Sequence, residues 1–148
     1  MPLHPVREER LNVNHDEGAL IERARVSLSR AYAPYSRFPV AAAVRDDSGR
    51  VFTGVNVENV SFGLSMCAER VAIFAAIAAG ARRISAIAVA SGAAELLSPC
   101  GACRQVIAEF ASGDTPVYCC TADSGETRRW TVSELLPDGF AAPQLRSR

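Results

Sequence analysis

Three cysteines and one glutamate, in two short stretches, are the residues of this sequence best suited to chemistry. Cys67 and Glu69 belong to a Cys-Ala-Glu-Arg segment, and Cys100 and Cys103 belong to a Pro-Cys-Gly-Ala-Cys segment. Catalytic zinc takes three protein ligands and leaves a fourth position open. Three thiolates with a carboxylate beside them to move protons would make such a site. The pattern therefore predicts a catalytic zinc centre.

Other roles for the cysteines remain open on spacing alone. A Cys-x-x-Cys pair is also typical of redox centres, and a single buried cysteine packs as a small hydrophobic residue. A structural zinc site would need a fourth Cys or His, but His4 and His15 fall in an N-terminal segment without periodicity. Cys119 and Cys120 lie within a predicted strand, which favours packing. Three ligands and an open position favour catalysis.

Two predicted helices bring the three thiols together. The first runs from Cys67 to Ala79 and is apolar on almost all sides, so we expect it to be central. The second runs from about Cys100 to Phe110, and Cys103 shares a face with Cys100 because three residues separate them on a helix. Both sets of thiols lie near helix N-termini, whose partial positive charge stabilises the thiolate.

Charged residues close to the cysteines complete the predicted centre. A glutamate early in a helix is most often a surface residue that complements the helix dipole. Glu69 instead follows a ligand cysteine and precedes an apolar helix, so we expect it to lie in the site and to act as general acid and base. Arg70 and Arg104, each near a ligand, are expected to offset the negative charge of three thiolates.

The remaining elements predict one α/β domain with a mixed sheet. Apolar residues recur at helical spacing from Asp16 until Pro34, which disfavours helix at the residue before it. Strands are predicted at 40–44, 51–57, 84–90 and 116–121, the first two forming a hairpin. A capping-box sequence at 131–134 predicts a short helix through Leu136. The alternation of strands and helices predicts parallel pairing in the second half of the sheet.

Charge and hydropathy exclude several classes of function. The 16 acidic and 16 basic residues give a net charge of zero, so the chain has no general attraction to nucleic-acid polymers. The longest apolar run, Val71 to Ala81, is far shorter than the ~20 residues of a membrane span, and no signal peptide is visible. We therefore expect a cytoplasmic protein with reduced cysteines. The predicted domain covers 16–140, between flexible segments at 1–15 and 141–148.

Polar side chains at the end of the second predicted strand indicate a further binding site. Asn56 and Glu58 lie two residues apart and emerge on the same face of a strand whose other face is apolar. Binding sites on sheets usually form at strand ends. The two side chains are therefore candidates for contacts with a polar ligand.

Five segments spread over residues 32–140 carry a recognisable pattern. Cys-x-Glu followed by Pro-Cys-x-x-Cys matches the signature of zinc deaminases, with cysteine in place of the first histidine. The five segments are PYSxFxV, TGVNVEN, CAER, SPCGACRQ and LLPxxF, and the signature lies in CAER and SPCGACRQ. In these segments the sequence resembles the homotetrameric cytidine deaminases. The resemblance implies a three-layer α/β fold of cytidine-deaminase type, in which helices flank a mixed five-stranded sheet.

The resemblance also implies an activity and a cofactor. The activity is the zinc-dependent hydrolysis of cytidine and 2′-deoxycytidine to uridine and 2′-deoxyuridine, with release of ammonia. Cys67, Cys100 and Cys103 would hold Zn²⁺, and Glu69 would carry protons between water and the N3 and N4 atoms of the pyrimidine. Arg70 would hydrogen-bond to the ligand thiolates.

Substrate contacts and assembly are implied in the same way. Phe38 would pack against the base, Asn56 and Glu58 would bind the ribose 3′-hydroxyl, and Ala68 would contact the substrate. Phe140 would reach the site of a neighbouring subunit in a homotetramer with shared active sites. One departure concerns the sugar: Phe62 stands where the family usually has tyrosine, which removes a hydroxyl near the ribose 5′ end.

Three alternative functions can be compared with this one. The nearest is a deaminase of the same fold that acts on another aminopyrimidine nucleoside, such as blasticidin S. A deaminase that acts on polynucleotides would need a basic, aromatic-lined channel, which a neutral chain does not favour. A non-catalytic zinc-binding module is disfavoured because Glu69 is retained.

Overall fold

The computed structural model describes residues 15–123 and 126–141. The expected flexible segments at 1–15 and 141–148 therefore lie almost wholly outside the described residues. The main elements, in chain order, are α1 (His15–Ser27), β1 (Val40–Asp46), β2 (Val51–Val55), α2 (Ala68–Ala78), β3 (Ile84–Ser91), α3 (Gly101–Phe110), β4 (Pro116–Thr121), β5 (Thr127–Thr131) and α4 (Val132–Leu135). Single 3₁₀ turns occupy Leu28–Arg30 and Phe62–Leu64. Within the described part of the chain, none of the helices has the length and apolar character required to cross a membrane.

The five strands form one mixed sheet in the order β2-β1-β3-β4-β5. β1 is antiparallel to both β2 and β3, β3 and β4 are parallel, and β5 is antiparallel to β4. The predicted parallel pairing is confirmed for β3 and β4, but β2 does not pair with β3 because β1 lies between them. β2 and β3 nevertheless run in the same direction, so the loops leading to α2 and α3 leave the same edge of the sheet.

Helices cover both faces of the sheet, which confirms the three-layer architecture. Side chains of a strand alternate between faces. On β3, Ala86 and Ala88 pack with α1, whereas Ile87 and Val89 pack with the helices of the opposite face. The α1 face is rich in alanine, which lets that helix lie close to the strands. The other face buries larger side chains beneath α2, α3 and α4.

The start of α2 is packed directly against β2. A Cβ atom at Gly54 would lie 2.4 Å from the backbone nitrogen of Ala72 and 2.7 Å from the carbonyl oxygen of Ala68. Real Cβ atoms do not approach backbone so closely, so only glycine fits this contact. The close approach places the first turn of α2 beside the end of the strand that leads to Asn56 and Glu58.

One predicted boundary is confirmed and another extends too far. α1 ends at Ser27 and continues as a 3₁₀ turn to Arg30, which confirms the predicted stop before Pro34, whereas β2 ends at Val55 instead of residue 57. Both ends are set by one contact between segments. The N–H of Tyr32 donates to the carbonyl of Asn56 at 3.0 Å, and the carbonyl of Tyr32 accepts from the N–H of Glu58 at 2.9 Å. Residue 32 therefore pairs with the segment that follows β2 and does not continue α1.

Candidate active site

The cysteines lie at the starts of α2 and α3, as predicted, but two of them stand just outside the helices. Cys67 and Cys100 occupy the N-cap positions with extended backbones, at φ −74° and ψ 151° and at φ −65° and ψ 163°. Cys103 lies in the first turn of α3 and is fully buried. The three Sγ atoms lie within 4.8 Å of one another, and those of Cys67 and Cys100 are 3.9 Å apart.

This cluster has the dimensions of a zinc site. Zinc–sulfur bonds are about 2.3 Å long, so two thiolates at corners of a tetrahedron around zinc are separated by about 3.8 Å. The 3.9 Å between Cys67 and Cys100 fits that separation. In the parts of the chain that the structure describes, no other three Cys, His, Asp or Glu side chains form a possible metal-binding group. Three thiolates leave one of four zinc positions for water or substrate.

The surroundings of Cys67 favour its thiolate, the form that binds metal. Hydrogen bonding from Cys103, together with the nearby guanidinium of Arg70, lowers the pKa of Cys67 to about 5. Arg70 Nη2 donates to Cys67 Sγ at 3.3 Å. Conversely, hydrogen bonding to Cys67 and burial raise the pKa of Cys103, so Cys103 keeps its own proton while Cys67 is ionised. A cation that binds all three sulfurs would displace this proton.

Glu69 lies beside the cysteines and is shielded from solvent. Its side chain belongs to the first turn of α2 and is 5% exposed, and its Oε2 atom is 3.7 Å from Cys103 Sγ. Burial raises the pKa of the Glu69 carboxyl, and the negative charge of Cys67 raises it further. A carboxylate with a raised pKa is a stronger proton acceptor than an ordinary glutamate, which suits general acid–base catalysis.

Arg104 makes three hydrogen bonds around the loop that carries Cys100. Its Nε donates to the carbonyl of Pro99 at 2.7 Å, its Nη2 to Ser98 Oγ at 2.7 Å, and its Nη1 to the carbonyl of Leu135 at 2.8 Å. Arg104 thus ties the loop before α3 to the end of α4, whereas Arg70 is the arginine that donates to a ligand sulfur. The sequence carries no signal for this contact, because it depends on where α4 folds.

The polar pair after β2 contacts the segment that precedes β1. Asn56 Oδ1 accepts from the N–H of Val40 at 2.9 Å, and Asn56 Nδ2 donates to the carbonyl of Phe38 at 2.8 Å. Glu58 Oε1 accepts from the N–H groups of Tyr35 and Ser36 at 3.0 and 3.1 Å. Hydrogen bonds from Ser36 hold the pKa of Glu58 below its usual value, so the carboxylate is ionised at neutral pH. No pattern in the sequence indicates these contacts.

The predicted aromatic and backbone contacts have contrasting environments. Phe38 is half-buried, and Ala68 is fully buried as the first residue of α2. Phe140 has an exposed ring, at 82%, while its carbonyl accepts from Gln105 Nε2 at 3.1 Å. Phe62 is also exposed and meets the ring of Tyr35 edge-on at 5.9 Å between centroids.

Comparison with known proteins agrees with this geometry. Residues 14–120 match the family described as the cytidine and deoxycytidylate deaminase zinc-binding region. The chain belongs to this family. The family description and the three clustered thiols together confirm the predicted zinc cofactor.

Relatives within the deaminase family resemble the chain over most of its length. A cytidine deaminase from Halalkalibacterium halodurans is 46% identical over 130 residues, which cover 88% of this chain and 98% of that protein. One from Sporosarcina psychrophila is 43% identical over 130 residues, covering 88% and 95%. The crystal structure of cytidine deaminase from Burkholderia pseudomallei matches with a TM-score of 0.79 and 46% identity, covering 83% of this chain and 98% of that one. These matches confirm the predicted family and fold.

Proposed function

We propose that this chain is a zinc-dependent enzyme that hydrolyses cytidine and 2′-deoxycytidine to uridine and 2′-deoxyuridine, with release of ammonia. The observation that carries the proposal is the cluster of three Sγ atoms within 4.8 Å of one another, with the buried Glu69 carboxylate 3.7 Å from one of them. The chain belongs to a deaminase family, and the relatives described above are named cytidine deaminases. The blasticidin S alternative has no comparable support.

Glu69 is the residue to which we assign proton transfer. Zinc held by Cys67, Cys100 and Cys103 would supply Lewis acidity that makes water a strong nucleophile at neutral pH. In the net reaction a C–O bond forms at C4 of the pyrimidine and the C4–N4 bond breaks. Glu69 accepts a proton from water and delivers it to N3, then takes the second proton from the new C4 hydroxyl and gives it to N4, which leaves as ammonia. Its raised pKa suits both the acceptance and the donation.

Binding of the nucleoside is assigned to residues at the same edge of the sheet. We place the sugar 3′-hydroxyl against Asn56 and Glu58, and the base against the Phe38 ring. Ala68 is the first residue of α2, and N–H groups in the first turn of a helix lack partners within the helix. We therefore assign the Ala68 N–H to the pyrimidine. Arg70 keeps the cluster compact by donating to Cys67.

Assembly, location and domain bounds are further parts of the proposal. An exposed phenylalanine ring whose backbone is held by Gln105 suits insertion into a neighbouring molecule, so we propose a homotetramer in which Phe140 completes the adjacent site. Three thiolate ligands need a reducing compartment, which supports the cytoplasm. We propose that residues 16–140 form the deaminase domain.

The decisive experiment replaces the proton carrier and leaves the metal ligands in place. Glu69→Gln is expected to keep about one zinc per chain and to lose activity on cytidine by about 10²–10⁴-fold, because the amide cannot transfer the proton. Glu109→Gln is the matched control, since this glutamate is exposed on α3. Activity is followed by ultraviolet absorbance, with zinc measured by atomic absorption. A Glu69→Gln protein with near-normal turnover would overturn the mechanism.

Substrate identity and assembly need separate measurements. Cytidine, 2′-deoxycytidine and blasticidin S are compared as substrates, and activity on blasticidin S alone would reverse the choice between the two nucleoside classes. Sedimentation equilibrium tests the tetramer. Phe140→Ala should leave the free energy of unfolding of each subunit within about 0.5 kcal/mol, because the ring is exposed, yet raise KM. A monomeric wild-type protein with full activity would refute the shared site.

A further inference from the structure

The loop that carries Phe38 is held from outside by two charged hydrogen bonds. We define the aromatic loop as residues 35–40. Its first two N–H groups, on Tyr35 and Ser36, both donate to Glu58 Oε1, at 3.0 and 3.1 Å. Hydrogen bonds to an ionised acceptor are about twice as strong as neutral ones. One carboxylate oxygen therefore holds the start of the aromatic loop.

The end of the aromatic loop is held by an amide two residues earlier in the chain than Glu58. Asn56 Nδ2 donates to the carbonyl of Phe38 at 2.8 Å, and Asn56 Oδ1 accepts from the N–H of Val40 at 2.9 Å. The two bonds lie on either side of Pro39, so the amide spans the step from the aromatic residue into β1. Phe38 is thus fixed through its own backbone.

Within the aromatic loop the backbone adopts a conformation that needs such support. Arg37 has a φ of 55°, in the left-handed region that costs energy for residues other than glycine. Its N–H donates to the carbonyl of Ala33 at 2.9 Å, and the N–H of Phe38 donates to Ser36 Oγ at 3.1 Å. A strained residue persists only where its surroundings determine the conformation, and here hydrogen bonds surround it on both sides.

The two side chains that hold the aromatic loop can still form hydrogen bonds with a ligand. The two oxygens of an ionised carboxylate can accept about four hydrogen bonds, more than Tyr35 and Ser36 donate to Glu58, and the Asn56 amide has a second N–H besides the one given to Phe38. An ionised carboxylate oxygen can accept from a hydroxyl while its other oxygen keeps the two N–H groups. Holding the loop and binding a sugar hydroxyl are therefore compatible.

We propose that Asn56 and Glu58 are positioning residues for Phe38 in addition to being sugar-binding residues, so that the end of β2 and the aromatic loop form one preorganised unit. The inference rests on the proposed function, which places the sugar at this pair and the base at Phe38. It goes further because the polar pair acts on the base through Phe38, even for a substrate that lacks the sugar hydroxyl.

A substrate that lacks the 3′-hydroxyl distinguishes the positioning role of Glu58 from its sugar-binding role. The kcat/KM values of wild type, Glu58→Ala and Glu58→Gln are measured on cytidine and on 3′-deoxycytidine. The inference predicts that Glu58→Ala lowers kcat/KM on 3′-deoxycytidine by about ten- to a hundredfold, mainly through KM, because a charged acceptor of two N–H groups is lost. Glu58→Gln keeps one oxygen that can accept both N–H groups and should restore most of that loss. A Glu58→Ala variant as active as wild type on 3′-deoxycytidine would refute the positioning role.

A substitution inside the aromatic loop gives a second, independent test. Ser36→Ala removes the acceptor of the Phe38 N–H and also the hydroxyl that hydrogen-bonds to Glu58, while the Asn56 and Glu58 residues themselves remain. It should lower kcat/KM by about five- to thirtyfold on 3′-deoxycytidine as well as on cytidine, as expected for the loss of one or two hydrogen bonds. Ser112→Ala, which removes a comparable turn hydrogen bond to Asp114, is the control and should change neither value. A loss confined to cytidine would contradict the inference.

Amide hydrogen exchange tests the positioning role without turnover. In the zinc-loaded wild-type enzyme without nucleoside, the N–H groups of Tyr35 and Ser36 should exchange at least about tenfold more slowly than in Glu58→Ala, and Glu58→Gln should retain the protection. Equal exchange in all three proteins would overturn the inference even if the enzyme deaminates cytidine. Absence of cytidine deamination by the wild type, with protection intact, would overturn the proposed function and leave the loop contacts standing.

Discussion

A methyl group added at Gly54 tests how closely the metal site depends on the contact between β2 and α2. The new Cβ would lie 2.4 Å from Ala72 N and 2.7 Å from Ala68 O. Ordinary contacts between non-bonded heavy atoms are 3.5–4.0 Å, so the start of α2 would have to move away from β2 by about 1 Å. Both atoms belong to the helix backbone, so no side-chain rotation can relieve the clash.

The size of the effect follows from this forced displacement. Overpacking a core costs about 1–3 kcal/mol, and a backbone clash places Gly54→Ala at the upper end of that range. The reduced freedom of the unfolded chain returns about 0.4–1 kcal/mol. A net loss of about 2 kcal/mol lowers the Tm of a protein of this size by about 4–8 °C. Because Cys67 caps α2 and Glu69 lies in its first turn, a shift of about 1 Å should also reduce kcat about 10²-fold.

Thermal unfolding by circular dichroism and cytidine turnover measure the two effects. Gly18→Ala is the matched control, because a Cβ there meets no atom of the described residues within 4 Å and the position lies inside α1. The control should stabilise the protein by about 0.5–1 kcal/mol and leave turnover unchanged. If Gly54→Ala has the Tm and kcat of wild type, the close contact does not position the site and the reasoning fails.

Further substitutions test the stability of the fold at low pH and the different roles of the cysteines. Burial raises the pKa of Asp46, but hydrogen bonds from Ser48 and Arg50 outweigh it and hold the pKa at about 2. The charged form therefore stabilises the fold above about pH 4, and this contribution is lost as the pH falls towards 2. In urea unfolding, Asp46→Asn should be less stable than wild type at pH 7, and the difference should shrink at pH 3; a constant difference would contradict the assignment. Cys103→Ala should abolish zinc binding, whereas Cys119→Ala should keep one zinc per chain and lose only about 1–2 kcal/mol of stability, as measured by atomic absorption and by unfolding. Loss of zinc from Cys119→Ala would be inconsistent with the three-cysteine site.

The metal site could be predicted from the sequence because its information is local. The Cys-x-x-Cys spacing, the cysteine before Ala-Glu and the apolar run after it all lie within one or two helical turns, and the structure places the helix starts within one residue of the prediction. The predicted strands Ile84–Ala90 and Pro116–Thr121 also match, since both are short apolar runs. Closely spaced ligand residues and continuous apolar segments are patterns that can be recognised in a single sequence.

The parts that the sequence pattern did not predict depend on distant contacts. β5 was not located, because it is an edge strand whose exposed Arg128 and Arg129 interrupt the alternation of polar and apolar residues. The insertion of β1 between β2 and β3 is a property of the whole sheet. The hydrogen bonds between the side chains of Asn56 and Glu58 and the backbone of residues 35–40 join segments that only the folded sheet brings together. Such contacts have no periodicity that a linear sequence could display.

The contact of Arg104 with the end of α4 has a consequence for synthesis on the ribosome. The loop before α3 depends on a carbonyl, that of Leu135, which emerges 31 residues after the arginine that binds it. A nascent chain that ends within β5 holds all three cysteines but lacks this anchor. We therefore expect stable zinc loading to follow the emergence of α4 and not the emergence of Cys103. Ribosome-bound chains that end before residue 135 or continue through it, each followed by a linker long enough to clear the exit tunnel, should differ in zinc retention, although their metal ligands are identical.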